Sequence, residues 1–276
     1  MTPLRLLAAV ALVLLIAVLP TQAQFTVVID PGHGGTHIAG KSDSTQEGDG
    51  ASWNNARTAT KKLLEKDLTL SYALAAKQAF ERSERARALK IRVVLTRDRD
   101  VHLSAMERAA VVVRESADVL LSIHFNAANG KAEGTRAFFV SADHPDWEFM
   151  HFANPYEARD RRFCEMICQN VANAFQPFGG KPEKRMVYGD VRDRKDGLRL
   201  LGFARQDTHL YNAAIGLLEV EFIDNPDVEA WLVSDANKTI VEKAAAEAIV
   251  NATCDWFSLP AAERDFVQKA RKAPGR

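Results

Sequence analysis

The stretch Ala117–Ile123, ADVLLSI, constrains the fold more than any other part of this chain, because Val119, Leu120 and Leu121 at its centre are consecutive apolar residues rather than alternate ones. Neither face of such a strand can be left to water, so helices must cover both, as they do over the parallel sheets of α/β proteins. A second strong strand, Ile215–Phe222 (IGLLEVEF), is interrupted only by Glu219 and Glu221. Phe25–Ile29, Ile91–Leu95 and Ala137–Val140 also read as strands. Helical patterns lie between them. Leu64, Leu68, Tyr72, Ala76 and Phe80 recur every four residues, with Glu65 near the first turn, and Leu103 to about Glu115 reads as a second helix. Phe163, Ile167, Val171 and Phe175 mark a third that stops before Pro177, and a last helix, about Ser234 to Phe257, carries an Ile240, Ala244, Ala248 stripe with Trp256 near its end. The charged stretch Lys181–Arg199 reads as a solvated loop with at most a short strand. The expected fold class is α/β: a single domain built on a mixed, mostly parallel twisted sheet with helices on both faces. Such sheets place their sites at the carboxyl ends of the strands.

The chain has 276 residues, 47% of them hydrophobic, which suffices for one large core. Its 36 Lys+Arg balance 36 Asp+Glu, which argues against nucleic acid as a partner. At the N-terminus, Arg5 precedes an apolar run from Leu6 to Leu19, Pro20 breaks it, and Thr21-Gln22-Ala23 supplies small residues for cleavage. Residues 1–23 therefore read as a signal peptide, since a run of about 14 apolar residues falls short of the ~20 that span a bilayer. The mature protein is expected to be exported, without a membrane span and monomeric, with a catalytic domain over 24–259 and a charged tail over 260–276. Three cysteines do not make a disulfide framework: Cys164 and Cys168 sit four apart on a helix as core residues, with pairing of either to Cys254 as the alternative.

Two histidines end strands. His33 stands in the glycine-rich turn of FTVVIDPGHGG, where the flanking glycines leave room for a metal or substrate, and His124 follows the buried strand. If those strands are parallel neighbours, both imidazoles reach one edge of the sheet, where the start of a helix can deliver Glu65. Two imidazoles and a carboxylate are a three-ligand zinc set that keeps the fourth position for water. A carboxylate within an apolar strand costs several kcal/mol unless paired or bound, which singles out Glu219 as the proton carrier, with Glu221 as its rival. Asp30 and Asn126, beside the histidines, are candidates for orienting them or for touching substrate.

VVIDPGHGG, LLEKDLTL, TRDRD with Arg108 downstream, LLSIHFNA and LLEVEFIDNP follow one another in an order that resembles the zinc-dependent N-acetylmuramoyl-L-alanine amidases of bacterial cell walls, the cell-separation type. The resemblance runs from Phe25 to about Phe257. It implies one Zn2+ held by His33, Glu65 and His124, catalysis by Glu219, a peptidoglycan or muropeptide substrate, and a periplasmic or secreted location. The reaction implied is cleavage of the amide between the lactyl group of N-acetylmuramic acid and L-alanine.

The chain departs from that pattern in two places. Glu221 stands where relatives usually have glycine; strand alternation predicts that it shares the face of Glu219 and raises that carboxyl's pKa. Two segments are long: the polar loop Thr36–Ala59 and the aromatic-rich Asp143–Tyr156. In some relatives an insertion covers the zinc until a protein activator displaces it, so Asp143–Tyr156 is either such a plug, offering Asp143, His144, Asp146, Glu148 or His151, or a substrate wall built on Trp147, Phe149 and Phe152. Rival readings are a catalytically silent wall-binding or activator module, which the presence of all four key residues opposes, and a zinc peptidase cutting within the stem peptide. A cysteine hydrolase is a poor third, because both helical cysteines lack an evident base.

Overall fold

The computed structural model describes residues 24–35, 56–141, 154–190, 198–206 and 213–264. Six strands form one sheet in the order β2-β1-β3-β6-β4-β5: β1 (Phe25–Pro31), β2 (Ile91–Leu95), β3 (Val119–Asn126), β4 (Arg136–Phe139), β5 (Met186–Gly189) and β6 (Ala214–Phe222). The first four in that order are parallel, while β4 runs antiparallel to β6 and parallel to β5. The mixed, mostly parallel sheet is thus as expected. The described helices are α1 (Glu65–Arg82), α2 (Glu84–Ala88), α3 (Ala105–Arg114), α4 (Glu157–Phe175), α5 (Arg199–Gln206), α6 (Pro226–Leu232), α7 (Lys238–Ser258) and α8 (Ala261–Arg264).

Side-chain alternation along the central strands divides the core in two. Val27, Ile29, Val119, Leu121, Ile123, Leu218 and Val220 meet Tyr72, Phe163, Ile167 and Trp256 under α1, α4 and α7. Val28, Leu120, Ile215 and Leu217 face the other way, against Val112 of α3 and Leu201 of α5. Val119, Leu120 and Leu121 of β3 therefore fill both layers, which is why the strand opens on consecutive apolar residues. Where that second face nears the carboxyl ends of the strands, its apolar residues give way to polar ones. Asp30 pairs in register with Ser122, and His124 with Glu219.

The buried face of α1 uses Tyr72, Ala76 and Phe80 as its period predicts. In α7 the predicted stripe is shifted. Ile240 is 56% exposed, while Val241, Ala245, Ala248, Ile249, Ala252 and Trp256 are buried. This helix packs against both α1 and α4, so its apolar surface is too broad for a single four-residue stripe to describe. The short helices α2, α5 and α6 have no counterpart in the sequence reading, and β5 is the short strand expected within Lys181–Arg199.

All three cysteines are buried and free, so the alternative pairing with Cys254 is not formed. Cys164 donates to the carbonyl of Phe138, and burial pushes the Cys168 thiol up to about 12, which leaves neither suited to nucleophilic work. On the same helix, the buried Asp160 carboxylate takes both its oxygens to Arg205 of α5 at 2.6 and 2.7 Å. Among the described residues, no helix is long and apolar enough to cross a membrane. The signal-peptide reading of residues 1–23, most of the loop 36–59, the insertion 143–153 and the tail beyond Arg264 lie outside the described residues.

Candidate metal centre

The turn after β1 carries His33 into the left-handed region, φ 56°, with Gly34 and Gly35 at 124° and 77°. A side chain in this conformation is held there at a cost of about 1 kcal/mol or more. The His33 ring lies edge-on to the His124 ring, their centroids 4.8 Å apart. Gly32 is glycine for a steric reason: a Cβ there would lie 2.3–2.6 Å from three atoms of the His124 ring. The room that the glycine provides is filled by a second histidine, where the sequence suggested metal or substrate.

Glu65 is the first residue of α1. No side chain caps this helix. The preceding segment does so instead, through an Arg57–Leu64 bridge and the Glu65 amide donating to the Ala56 carbonyl at 2.8 Å. Glu229 of α6 anchors the segment further, accepting the amides of Thr60 and Lys61 at 2.7 Å each. The Glu65 carboxylate is 2% exposed and uses both oxygens. Oε2 lies 3.0 Å from His33 Nε2 and accepts the Ala56 amide at 3.0 Å; Oε1 lies 3.0 Å from His124 Nδ1 and accepts the Phe125 amide at 3.0 Å. Burial raises this carboxyl's pKa, but positive charge and hydrogen bonds from the two histidines outweigh it and hold the group well below the usual carboxylate range. The helix N-terminus favours the same charged form.

The structure thus brings together the three residues expected to ligate metal. The donor atoms of His33, Glu65 and His124 all lie within 4.8 Å of one another. Ligand atoms about 2.0–2.1 Å from a tetrahedral zinc lie roughly 3.3 Å apart. Each histidine nitrogen is 3.0 Å from one Glu65 oxygen, His33 from Oε2 and His124 from Oε1, while the three donors together span up to 4.8 Å, so they must draw closer to share one ion. Two imidazole nitrogens and one carboxylate also suit zinc chemically and leave a position open.

Glu219 lies on β6 as the register partner of His124, on the same face of adjacent parallel strands, which places their Cα atoms about 5 Å apart. Beyond that pair β6 bulges: the next register pair is Asn126 with Phe222, so two residues of β6, Val220 and Glu221, oppose Phe125 alone. The alternation of faces along β6 that would align Glu221 with Glu219 is therefore broken by the bulge. The carboxylate of Glu221 is instead engaged by the amides of Gly134 and Phe222 at the entry to β4, and burial pushes its pKa up to about 7. Asn126 accepts the amide of Ala127 at 2.9 Å, closing the turn after β3.

Asp30 does not act alone. It accepts from Thr96 and Ser122 and forms a buried ion pair with Arg108 at 2.7 Å. Burial raises its pKa, and Arg108 together with those hydroxyls brings it below its ordinary value. Arg108 in turn donates to the carbonyls of Pro31 and His33 at 2.8 and 2.6 Å. The sequence reading did not assign roles to Arg97, Arg108 or Glu229. The first two belong to quoted motifs, while nothing in the local pattern around Glu229 distinguishes it from an ordinary helix-surface acid.

A family model described as N-acetylmuramoyl-L-alanine amidase matches residues 27–251. The chain belongs to the N-acetylmuramoyl-L-alanine amidase family. Solved structures share the fold of this amidase. The catalytic domain of CwlV from Bacillus (Paenibacillus) polymyxa var. colistinus is 21% identical with a TM-score of 0.55, covering 86% of this chain and 99% of that one. The N-acetylmuramoyl-L-alanine amidase from Clostridium difficile 630 is 21% identical, with a TM-score of 0.57 and coverage of 86% and 97%. CwlD from Clostridioides difficile, in complex with the GerS lipoprotein, is 21% identical, with a TM-score of 0.54 and coverage of 83% and 98%. No curated protein sequence matches the chain.

Proposed function

We propose that this chain is a zinc-dependent peptidoglycan hydrolase that cleaves the amide between the lactyl carbonyl of N-acetylmuramic acid and the nitrogen of L-alanine. The observation that carries the reading is the convergence of His33, Glu65 and His124 within 4.8 Å, with Glu219 the register partner of one ligand, in a chain of this amidase family. One zinc ion bound there supplies a Lewis acid and lowers the pKa of its water to about 7. The residues of the chain do the rest. His33 and His124 would hold neutral ring nitrogens toward the ion, and the Glu65 carboxylate, fixed by the amides of Ala56 and Phe125, would complete the set. Glu219 takes the proton from the attacking water and returns it to the leaving nitrogen, so that the carbonyl carbon gains a C–O bond as the C–N bond breaks. The products are a lactyl carboxylate and a stem peptide with a free L-alanine amine.

Export through cleavage of residues 1–23, and action in the periplasm or outside the cell as a monomer, complete the reading. The complex of CwlD with a lipoprotein supports a protein partner for this chain as well. Asp30 would support the His33 turn through Arg108, while Asn126 and Glu221 would hold the turn after β3 and the entry to β4. The test is digestion of purified peptidoglycan by the mature protein, with products identified by mass spectrometry. Stem peptides beginning with free L-alanine are expected, lost on chelation and in Glu219→Ala. Cleavage elsewhere in the stem peptide, or products that persist in chelator, refutes the reading.

A further inference from the structure

The TRDRD segment, residues 96–100, follows β2 and lies outside the ligand set, yet it wraps the turn that carries His33. Arg97 is 3% exposed, and carbonyl oxygens dominate its partners. Nε donates to the Pro31 carbonyl at 2.9 Å and Nη1 to that of Arg99 at 3.2 Å. Nη2 donates to the carbonyls of Gly32 at 2.7 Å and Lys66 at 2.9 Å, and to Thr69 Oγ1 at 3.1 Å. Gly32 immediately precedes His33, and Lys66 immediately follows Glu65. One nitrogen of one guanidinium therefore ties the neighbours of two ligands that are 32 residues apart in sequence. Thr69 closes the same triangle, its hydroxyl donating to Gly32 at 2.8 Å.

The rest of the segment repeats the pattern. Asp100 accepts the Gly35 amide at 2.7 Å and the ammonium of Lys66, again linking the His33 turn to the start of α1. A Cβ on Gly34 would meet the Arg97 side chain at 3.0–3.1 Å, which shows how closely the turn is wrapped around it. A planar fork is required because the acceptors lie in fixed, divergent directions; an ammonium on a flexible stem cannot reach them together.

We infer that Arg97 is a positioning residue of the metal centre, holding His33 and Glu65 at their 3.0 Å separation by binding the carbonyls of Gly32 and Lys66 to one guanidinium. The inference rests on the zinc reading above. Residues that orient ligands from behind commonly change metal affinity by 10–100-fold when removed.

The experiment measures zinc affinity by competition with a chelating dye, and the visible absorption of the cobalt(II)-loaded protein, in the parent, Arg97→Met, Arg97→Lys, Asp100→Ala and Arg205→Met. Arg97→Met is expected to weaken zinc 10–100-fold and to change the cobalt bands, and Arg97→Lys to recover only part of that loss. Asp100 is 42% exposed at its side chain, so its variant folds, and a loss of several-fold is expected there too. Arg205→Met breaks a buried pair far from the turn; it should lower the melting temperature and leave zinc affinity within about twofold. Arg97→Met that melts lower but binds zinc and absorbs like the parent overturns the inference. If Arg97→Met does not fold, unchanged affinity in Asp100→Ala overturns it. A parent that binds no zinc removes the zinc reading itself, a result distinct from either.

Discussion

Replacing Gly32 by alanine tests the geometry of the centre with a single methyl group. The backbone at Gly32 is not in the left-handed region, so alanine meets no conformational objection there. What it meets is the His124 imidazole, at 2.3 Å from Cε1, 2.4 Å from Nε2 and 2.6 Å from Nδ1. Ordinary contact begins near 3.4 Å, so the ring or the turn must yield by about 1.1 Å. Pro31 and Gly32 are held by Arg97 and by the Gly32 amide donating to the Ile123 carbonyl at 2.9 Å. The ring, 17% exposed at its side chain, is the softer partner. Moving it by 1 Å separates Nδ1 from Glu65 Oε1, and a misplacement of that size costs about 10²-fold in rate. The overpacking itself costs about 1–3 kcal/mol. In a chain of this size that lowers the melting temperature by a few degrees without unfolding the protein at 25 °C. Release of stem peptide from peptidoglycan, measured alongside zinc affinity and thermal melting, is the assay. In a His124→Ala background the clash is gone, so Gly32→Ala should there cost little stability. A folded Gly32→Ala variant with turnover within about threefold of the parent would falsify the argument that this glycine is reserved for the His124 ring.

Glu221 contributes an instability that grows with pH. Its pKa is raised in the folded protein from 4.5 to about 7 by burial, so the fold binds the extra proton and stability falls as pH rises through that window. The total is about 3 kcal/mol. Melting temperatures of the parent and Glu221→Gln between pH 4.5 and 8 should converge at the acid end and diverge in favour of the variant at the alkaline end; parallel curves would contradict it. Asp30→Asn leaves the Arg108 cation buried without its carboxylate, and a loss of about 3–5 kcal/mol is expected by denaturant titration. The native contribution of Asp30 is complete above its ordinary value of 3.8 and fades as pH falls through its lower folded value, so the gap between parent and variant should close under acid.

The cluster of His33, Glu65 and His124 could be read from the chain because chemistry restricts its members: few side chains besides His, Cys, Asp and Glu suit a metal, and strand ends bring such residues to one edge of a parallel sheet. The four-residue spacing likewise exposed α1, and the unbroken apolar run Val119–Leu121 exposed β3. The same four-residue spacing misplaced the stripe of α7, which packs on two neighbours and buries Val241 and Ile249 where a single stripe would place Ile240. Alternation also misled at Glu221, since a β-bulge leaves no mark in the residue types that form it. The supports of the site were the hardest to see. Arg97, Glu229 and Gly32 act on backbone atoms or on a distant ring, so their partners carry no side-chain signature near them in sequence. Arg97 shows the consequence most clearly. Its acceptors are carbonyls that every residue possesses, and only the fold decides that two of them belong to the neighbours of His33 and Glu65. A motif such as TRDRD is therefore visible as a pattern long before its function is, because its specificity lies in where the chain returns and not in what the chain presents.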